Sequence, residues 1–497
     1  MKDIKRGSGI LMHISSLPGK YGIGDFGKGA YEFVDFLEKA KQKFWQILPL
    51  GITGFGDSPY QCFSAFAGNL YFIDLDEFIE KGYLNEEEMG KYDLGQNPNV
   101  VDYGLLYKNK MKLLNMAYEI AKDDLEEELL LFYQENKSWL RDFALFMAIK
   151  TKFGGLSWIH WDKEYRKHNN HVVLEFEREN QREIFFWVFS QYYFLSQWEK
   201  LKKYAEEKGI QIIGDLPIYV SQDSADIWSR PELFNLDENL VPKTVSGYPP
   251  DEFSEGGQLW GNPIYDWAAM EKDDYRWWIE RIKYSFQLFD YLRVDHFMGF
   301  ENYWEVAYGS MDAKDGQWVK GPGKKLFQKI GDSLGELNII AEDLGLITED
   351  VKDLMAFTGF PGMKILQFAF NPWGDNDHIP HNHERNSVVY TGTHDNPTIG
   401  QWIETVSKDQ LDYAIEYLKL SEVEGYNWGM IRGAWSSIAN LAIVPMQDLL
   451  GLGSEGRMNT PSTFGGNWVW RVDKSSLNDE LAEKAAHLSR IYKRNST

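Results

Sequence analysis

The 497-residue sequence contains one cysteine, Cys62, so no disulfide can form within the chain. That usage fits a reducing compartment. Long apolar runs are also missing: none approaches the ~18 residues of a membrane span. The first residues, Met1-Lys2-Asp3-Ile4-Lys5-Arg6, hold no apolar leader. Together these features point to the cytoplasm. Positive charge is scarce, with 52 Lys and Arg against 75 Asp and Glu, a net charge of -23. Phosphate backbones are gripped by clustered Lys and Arg. No such cluster occurs, which argues against nucleic acid and, for the same reason, against anionic membrane surfaces. A neutral ligand suits this balance better. Internal repeats and low-complexity tracts are absent.

Aromatic residues, by contrast, are plentiful: 19 Trp, 27 Tyr and 30 Phe. Most belong to core packing. Some are candidates for stacking on the C–H faces of sugars, and position decides which.

Eight short apolar, β-branched-rich runs recur along the chain, at 9–17, 44–50, 210–219, 291–297, 338–345, 363–370, 387–395 and 441–450. Helical patterns separate most of them. One occupies about 29–41, with Phe33, Leu37 and Ala40 on one face. A second, 187–208, runs into Gly209 as its stop, and a third covers 272–290. Thr348 is a predicted cap for a helix closed by Gly359, and a last helix spans about 476–493. Alternation of strand and helix predicts parallel strands, and eight such units predict a closed (β/α)8 TIM barrel. Length alone suggests roughly three domains, but one barrel takes about 250 residues and carries large loops. The whole chain, 1–497, therefore reads as a single barrel with two insertions. A helical subdomain at 74–185 follows the second strand. A segment at 220–270, rich in Pro, Gly and aromatics, follows the third, and connections that long are usually functional.

In barrel enzymes the active site lies at the C-terminal ends of the strands. Those ends present Asp215, then Arg293 with Asp295 and His296, Glu342 with Asp343, His394 with Asp395, and Gln447 with Asp448. Each acid taken singly is more simply a helix cap or ion-pair partner; several on one rim suggest catalysis. Arg293 and Asp295, two apart on a strand, leave the same face. A guanidinium there keeps Asp295 ionised, as a nucleophile requires. Glu342, ending the next strand, would be the partner whose pKa is raised so that it acts as an acid. Two carboxyls about 5–5.5 Å apart make a retaining glycosidase pair.

At these residues the chain resembles the 4-α-glucanotransferases, or amylomaltases, relatives of the α-amylases. The matching stretches are SGILMHISSLPGKYGIGDFG from Ser8, SPYQCFSAFAGN from Ser58, GDLPIYVSQDSADIW from Gly214 and GYPPDEFSEGGQLWGNPIYDW from Gly247. RVDHFMGF from Arg293, AEDLG from Ala341, GTHDNPT from Gly392, and PMQDLLGLG with RMNTPSTFGGNWVWR near the end complete the set. The resemblance implies transfer of α-1,4-glucan segments between maltooligosaccharides by retaining double displacement, with no cofactor or metal. It casts Asp295 as nucleophile, Glu342 as acid/base and Asp395 as transition-state stabiliser. Arg293, His296, His394 and Asp215 would orient the nucleophile and grip the sugar. Tyr60, Asp251, Phe253 and Trp260 would line the glucan path under a covering 247–262 loop. The usual α-amylase C-terminal β-domain is expected to be missing, since only one helix-like stretch (about 476–493) follows Arg471.

Other readings weigh less. Gly22–Gly27 matches a G-x-G-x-x-G phosphate loop, but Asp25 would face the phosphates and the second strand ends in Leu48-Pro49-Leu50, with no acidic ribose ligand. Asp375, Asp377, His378, His381 and His383 cluster in one loop, better read as solvated than as a metal site. The enzymatic rival is an α-amylase-type hydrolase. A non-catalytic barrel would be expected to have lost one of the three acids, and all three are present.

Overall fold

In this computed structural model residues 4–54, 56–250, 254–463 and 465–495 are described. Among them the strands are β1 (Gly7–Leu11), β2 (Phe44–Gln46), β3 (Gln211–Leu216), β4 (Thr244–Tyr248), β5 (Gln258–Pro263), β6 (Tyr291–Val294), β7 (Asn302–Ala307), β8 (Gln317–Lys320), β9 (Ile339–Ala341), β10 (Gly362–Ile365), β11 (Ser387–Tyr390) and β12 (Leu441–Pro445). Eight of them form one parallel sheet in the order β10-β11-β12-β1-β2-β3-β6-β9. The Ala341 N–H donates to Pro361 O at 3.0 Å, bringing β9 to the edge of β10 and closing the ring. The expected (β/α)8 barrel is therefore present. Its strands read as continuous apolar runs because both of their faces are buried.

Helix boundaries follow the expected signals. The helix Gln181–Glu207 ends at Lys208, and Gly209 turns away at φ +72°. Thr348 accepts a hydrogen bond from Val351 N, starting Glu349–Thr358, and Gly359 closes that helix in the left-handed region. The strands themselves are shorter than the runs that marked them. Residues 14–16 already form a 3-10 turn, Pro49 follows β2, and 446–450 are helical. Beyond the barrel's rim a chain has no neighbour to pair with, so apolar character outlasts the ladder.

Between β2 and β3 the chain forms the helices Asp76–Glu80, Met111–Ala121, Glu126–Glu135, Lys137–Lys152 and His171–Glu179 before entering Gln181–Glu207. This last helix serves both the insertion and the barrel. The Gln191 amide bonds both N and O of Gly68, and the Gln197 amide bonds both N and O of Asp74. Trp198 Nε1 donates to Leu288 O at 3.1 Å on the barrel side. A Cβ on Gly68 would lie 2.1 Å from the Phe194 ring, so the approach requires glycine there.

A second sheet, not anticipated from the sequence, is antiparallel with the order β5-β4-β7-β8. Only half of it comes from the 220–270 connection; β7 and β8 follow β6. Its strands are short and interrupted by Gly247 and Gly261, so neither connection shows alternation alone.

The segments that hold Gly7 and Arg494 meet beneath the barrel. Arg494 is fully buried and donates to the carbonyls of Gly7, Trp435, Ser437, Ala439 and Asn440 at 2.7–3.3 Å. Removing a charged donor from several buried acceptors costs about 3 kcal/mol. Arg494→Ala should therefore lower the thermal midpoint by several degrees, with Arg494→Lys recovering only part; an unchanged melting curve would contradict the latch.

Candidate active site

The site is organised around Arg293. Asp215 on β3 and Arg293 on β6 are paired in register. Arg293 Nη1 lies 2.7 and 2.6 Å from the two Asp215 oxygens. Its Nη2 donates to Glu342 Oε2 at 2.7 Å and to Asp295 Oδ1 at 3.3 Å. One nitrogen thus holds both carboxyls, which flank a single point. Burial opposes the charge on Arg293, but Asp215, Glu342, Tyr60 and Asp295 outweigh it and hold its pKa well above the ordinary value. The side chains of Asp215 and Arg293 are almost sealed, at 0% and 3% exposure, whereas Asp295 at 27% and Glu342 at 18% open to the cleft. Nearby, Tyr390 on β11 donates to Gln46 Oε1 of β2 at 2.9 Å, closing the floor.

Three carboxyls share one guanidinium, and the two that open to the cleft differ in what they accept. Glu342 accepts from Arg293 and also from the His296 N–H at 2.9 Å, whereas Asp295 has the longer Arg293 contact and a side-chain hydrogen bond shared with Glu342. Burial and the neighbouring Glu342 charge push Asp295 well above the carboxylate range. Burial acts on Glu342 too, but Arg293, Asp295 and the His296 N–H outweigh it and lower its pKa. The two carboxyls are thus pushed in opposite directions, Asp295 up and Glu342 down.

A second wall follows β11. The Tyr60 ring stacks on His394, with centroids 5.0 Å apart and planes at 16°, and its hydroxyl donates to Asp215 Oδ2 at 2.8 Å. His394 Nε2 lies 3.4 Å from Asp395 Oδ2, and Asn459 Nδ2 donates to Asp395 Oδ1 at 2.6 Å. Burial would raise Asp395, but His394, Asn459 and Arg293 together bring it down to about 2. It stays ionised, with its side chain 45% exposed to the cleft.

The third wall carries His296, whose backbone is left-handed at φ +47°. That conformation is uncommon for a non-glycine residue, and it accompanies an N–H that reaches Glu342. The ring meets Trp260 edge-on at 4.7 Å and Tyr248 at 6.2 Å. Burial pushes its pKa down to about 4, so it is neutral near pH 7, and Nε2 has no hydrogen-bond partner among the described residues. Asp251 and Phe253 lie outside the described residues.

Other acids on the rim are structural. Asp343 Oδ1 accepts from Met363 N at 2.6 Å, and Asp448 accepts from Thr391 Oγ1 at 2.6 Å and Ile399 N at 2.8 Å. In the 375–383 loop each imidazole is engaged by protein groups. His378 Nδ1 accepts from Ile365 N, His381 meets Tyr417 Oη, and His383 bridges Ser437 Oγ and His378 O. The Gly22–Gly27 loop packs on the 14–17 turn: a Cβ at Gly24 would meet Ile14 O at 1.9 Å and Leu17 N at 2.7 Å, which explains the glycine. Cys62 is held against Pro59 O, and burial pushes its thiol up to about 12.

The sequence reading missed the support behind Asp395. Arg457 Nη2 donates to Asp395 O at 2.9 Å, Asn459 N donates to His394 O at 3.1 Å, and the Trp468 ring lies 5.8 Å from both Tyr60 and His394. All three residues belong to the RMNTPSTFGGNWVWR stretch, whose length was a signal although no strand end marks it.

The family model described as 4-alpha-glucanotransferase matches residues 12–477. The 4-alpha-glucanotransferase of Clostridium butyricum is 54% identical over 485 residues, spanning 97% of this chain and 100% of that protein. The enzyme of the same name from Streptococcus pneumoniae is 50% identical over 497 residues, covering 99% and 98%. Among solved structures, amylomaltase from Streptococcus agalactiae in complex with acarbose superposes with a TM-score of 0.96 at 45% identity, covering 99% of this chain and 100% of that one. Amylomaltase from Corynebacterium glutamicum, at 19% identity, shares the fold, with a TM-score of 0.78 over 97% and 75% of the two chains. With a family model over most of its length and near-full-length relatives at half identity, the chain belongs to the 4-alpha-glucanotransferase family.

Proposed function

We propose that this protein transfers α-1,4-glucan segments between maltooligosaccharides by a retaining double displacement, in the cytoplasm. The observation that carries the reading is the pair Asp295 and Glu342, bound by one nitrogen of Arg293 and open to a common cleft. An oxygen of each lies 3.3 or 2.7 Å from that nitrogen, too close together to leave room for the water of an inverting pair.

In the first step Asp295 attacks the anomeric carbon, the bond from that carbon to the glycosidic oxygen breaks, and Glu342 protonates the departing oxygen. In the second step the 4-hydroxyl of another sugar attacks the same carbon. Its proton passes to Glu342, and the ester to Asp295 breaks. Asp295 must be ionised and Glu342 protonated at the outset, and the hydrogen bond between the two lets a shared proton shift onto Glu342 as the donor enters. A glycosidic oxygen beside Glu342 favours that shift, because it accepts a hydrogen bond from the protonated acid. Asp395, held ionised, binds the sugar hydroxyls as the ring flattens and offsets the positive charge that develops. Neutral His296, with Nε2 free, and His394 orient the same sugar, and Asp215 with Tyr60 fixes Arg293. Trp260 lines the glucan path, and Asp251 and Phe253 are assigned to it by resemblance.

Transfer rather than hydrolysis requires a sugar hydroxyl to reach the glycosyl-enzyme before water does. The aromatic wall of Tyr248 and Trp260, contributed by the connection at 220–270, supports that exclusion. We assign this segment as the substrate-covering insertion and 74–185 as the helical one.

Maltotriose incubated with the protein, without added metal, should give glucose plus longer oligosaccharides while total reducing ends stay nearly constant. Chromatography of products over time checks this, and a stoichiometric rise in reducing ends would assign a hydrolase instead. Asp295→Asn and Glu342→Gln should each lower kcat by about a thousandfold or more, with an unchanged thermal midpoint.

The pH profile of kcat/KM should report the singly protonated pair. Glu342, lowered, takes a second proton only below the ordinary glutamate range. Asp295, raised, loses the shared proton only well above the ordinary aspartate range. A broad plateau is therefore expected between the two limbs. Asp395, at about 2, does not limit the acid side in the native protein. Asn459→Asp would put a like charge beside it, raise its pKa and move the acid limb to higher pH; an unmoved limb would remove Asp395 from this role.

A further inference from the structure

We propose that Trp318 is a sugar-stacking residue for the part of an α-1,4-glucan chain that extends past His296, a few glucosyl units from the cleavage point. The proposal rests on the transferase reading above and adds a chain-length subsite to it. Trp318 lies on β8, the edge strand of the small sheet, with 39% of its surface exposed. An edge strand that folded for stability alone would favour charged or short side chains there; Lys320 on the same strand fits that pattern and Trp318 does not.

Its position is continuous with the cleft. Tyr248, at the end of β4, meets the His296 ring at 6.2 Å and the Trp318 ring at 6.3 Å, edge-on in both cases. Two ring-to-ring steps therefore link the residue beside Glu342 to Trp318. Trp304, its register partner on β7, packs against it at 5.4 Å and 70°, and the Trp304 Nε1–H is anchored on Ala313 O. The exposed ring is thus held rigidly from one side. The loop after β9, which begins with Glu342, joins the same surface: Leu346 N donates to Tyr248 Oη at 2.8 Å, and the Leu346 side chain is 57% exposed. Singly exposed apolar residues are ordinary. This group forms a strip that starts at the catalytic rim and ends in a propped indole. A neutral, extended ligand with apolar C–H faces fits that strip, and a chain of glucosyl units is such a ligand. Stacking on an aromatic face also loses little conformational entropy, because the indole is already fixed.

The test is the chain-length dependence of disproportionation in Trp318→Ala and Trp318→Phe. Trp318→Ala should lower kcat/KM for maltoheptaose by about fivefold, through KM, and leave maltotriose unchanged; Trp318→Phe should retain most of the maltoheptaose value. Equal losses on both substrates would mean that Trp318 only supports the sheet, and no loss on either would mean that the ring touches no sugar. Each result overturns the proposal and leaves the transferase reading standing. A wild-type protein inert toward both oligosaccharides would defeat that reading and the subsite with it.

Discussion

The cost of burying charge governs this molecule. Arg293 is almost inaccessible to solvent, and a lone guanidinium there would be prohibitive. Asp215 neutralises it from the adjacent strand through both oxygens, and Tyr60 and the closed barrel floor hold that pair in place. The remaining nitrogen serves two carboxyls at once. Burial opposes the charge of both, and Asp295 is pushed up while Glu342 is held down. The same accounting that keeps the barrel stable thus leaves an acid and a base side by side, ready to exchange roles. The barrel supplies the geometry by placing Asp215, Arg293 and Glu342 at the ends of three neighbouring strands, where side chains must converge.

Much of this was readable in the sequence, for physical reasons. Parallel strands buried on both faces are unbroken apolar runs, so all eight were visible, and Gly209, Thr348 and Gly359 marked helix ends through their own backbone chemistry. The two-residue spacing of Arg293 and Asp295 put both on one face. Other features depend on three-dimensional partners that no local pattern encodes. The small sheet pairs strands from two separate connections. Asp343 and Asp448 look like catalytic candidates at strand ends but are consumed by backbone N–H groups. Asn459 reaches Asp395 from far along the chain, on a segment without periodicity. The lowered pKa of Glu342 owes first to Arg293, then to Asp295 and the His296 N–H, and that last contact needs a left-handed backbone that composition does not announce.

The helix Gln181–Glu207 shows how a barrel tolerates a long insertion. Its glutamines 191 and 197 satisfy the backbone of the departing chain as a sheet neighbour would, so the excursion begins without orphaned polar groups. Its other face packs on the barrel. The insertion and the catalytic scaffold consequently share one rigid element.

The small sheet has a mechanical consequence. Its strands are drawn in equal parts from the connections that follow β3 and β6, the two staves bearing Asp215 and Asp295. A flap needs one pivot, and a platform moored on two adjacent piers has none. The ring wall of Tyr248 and Trp260 that it carries is therefore tied to the barrel through both of those staves.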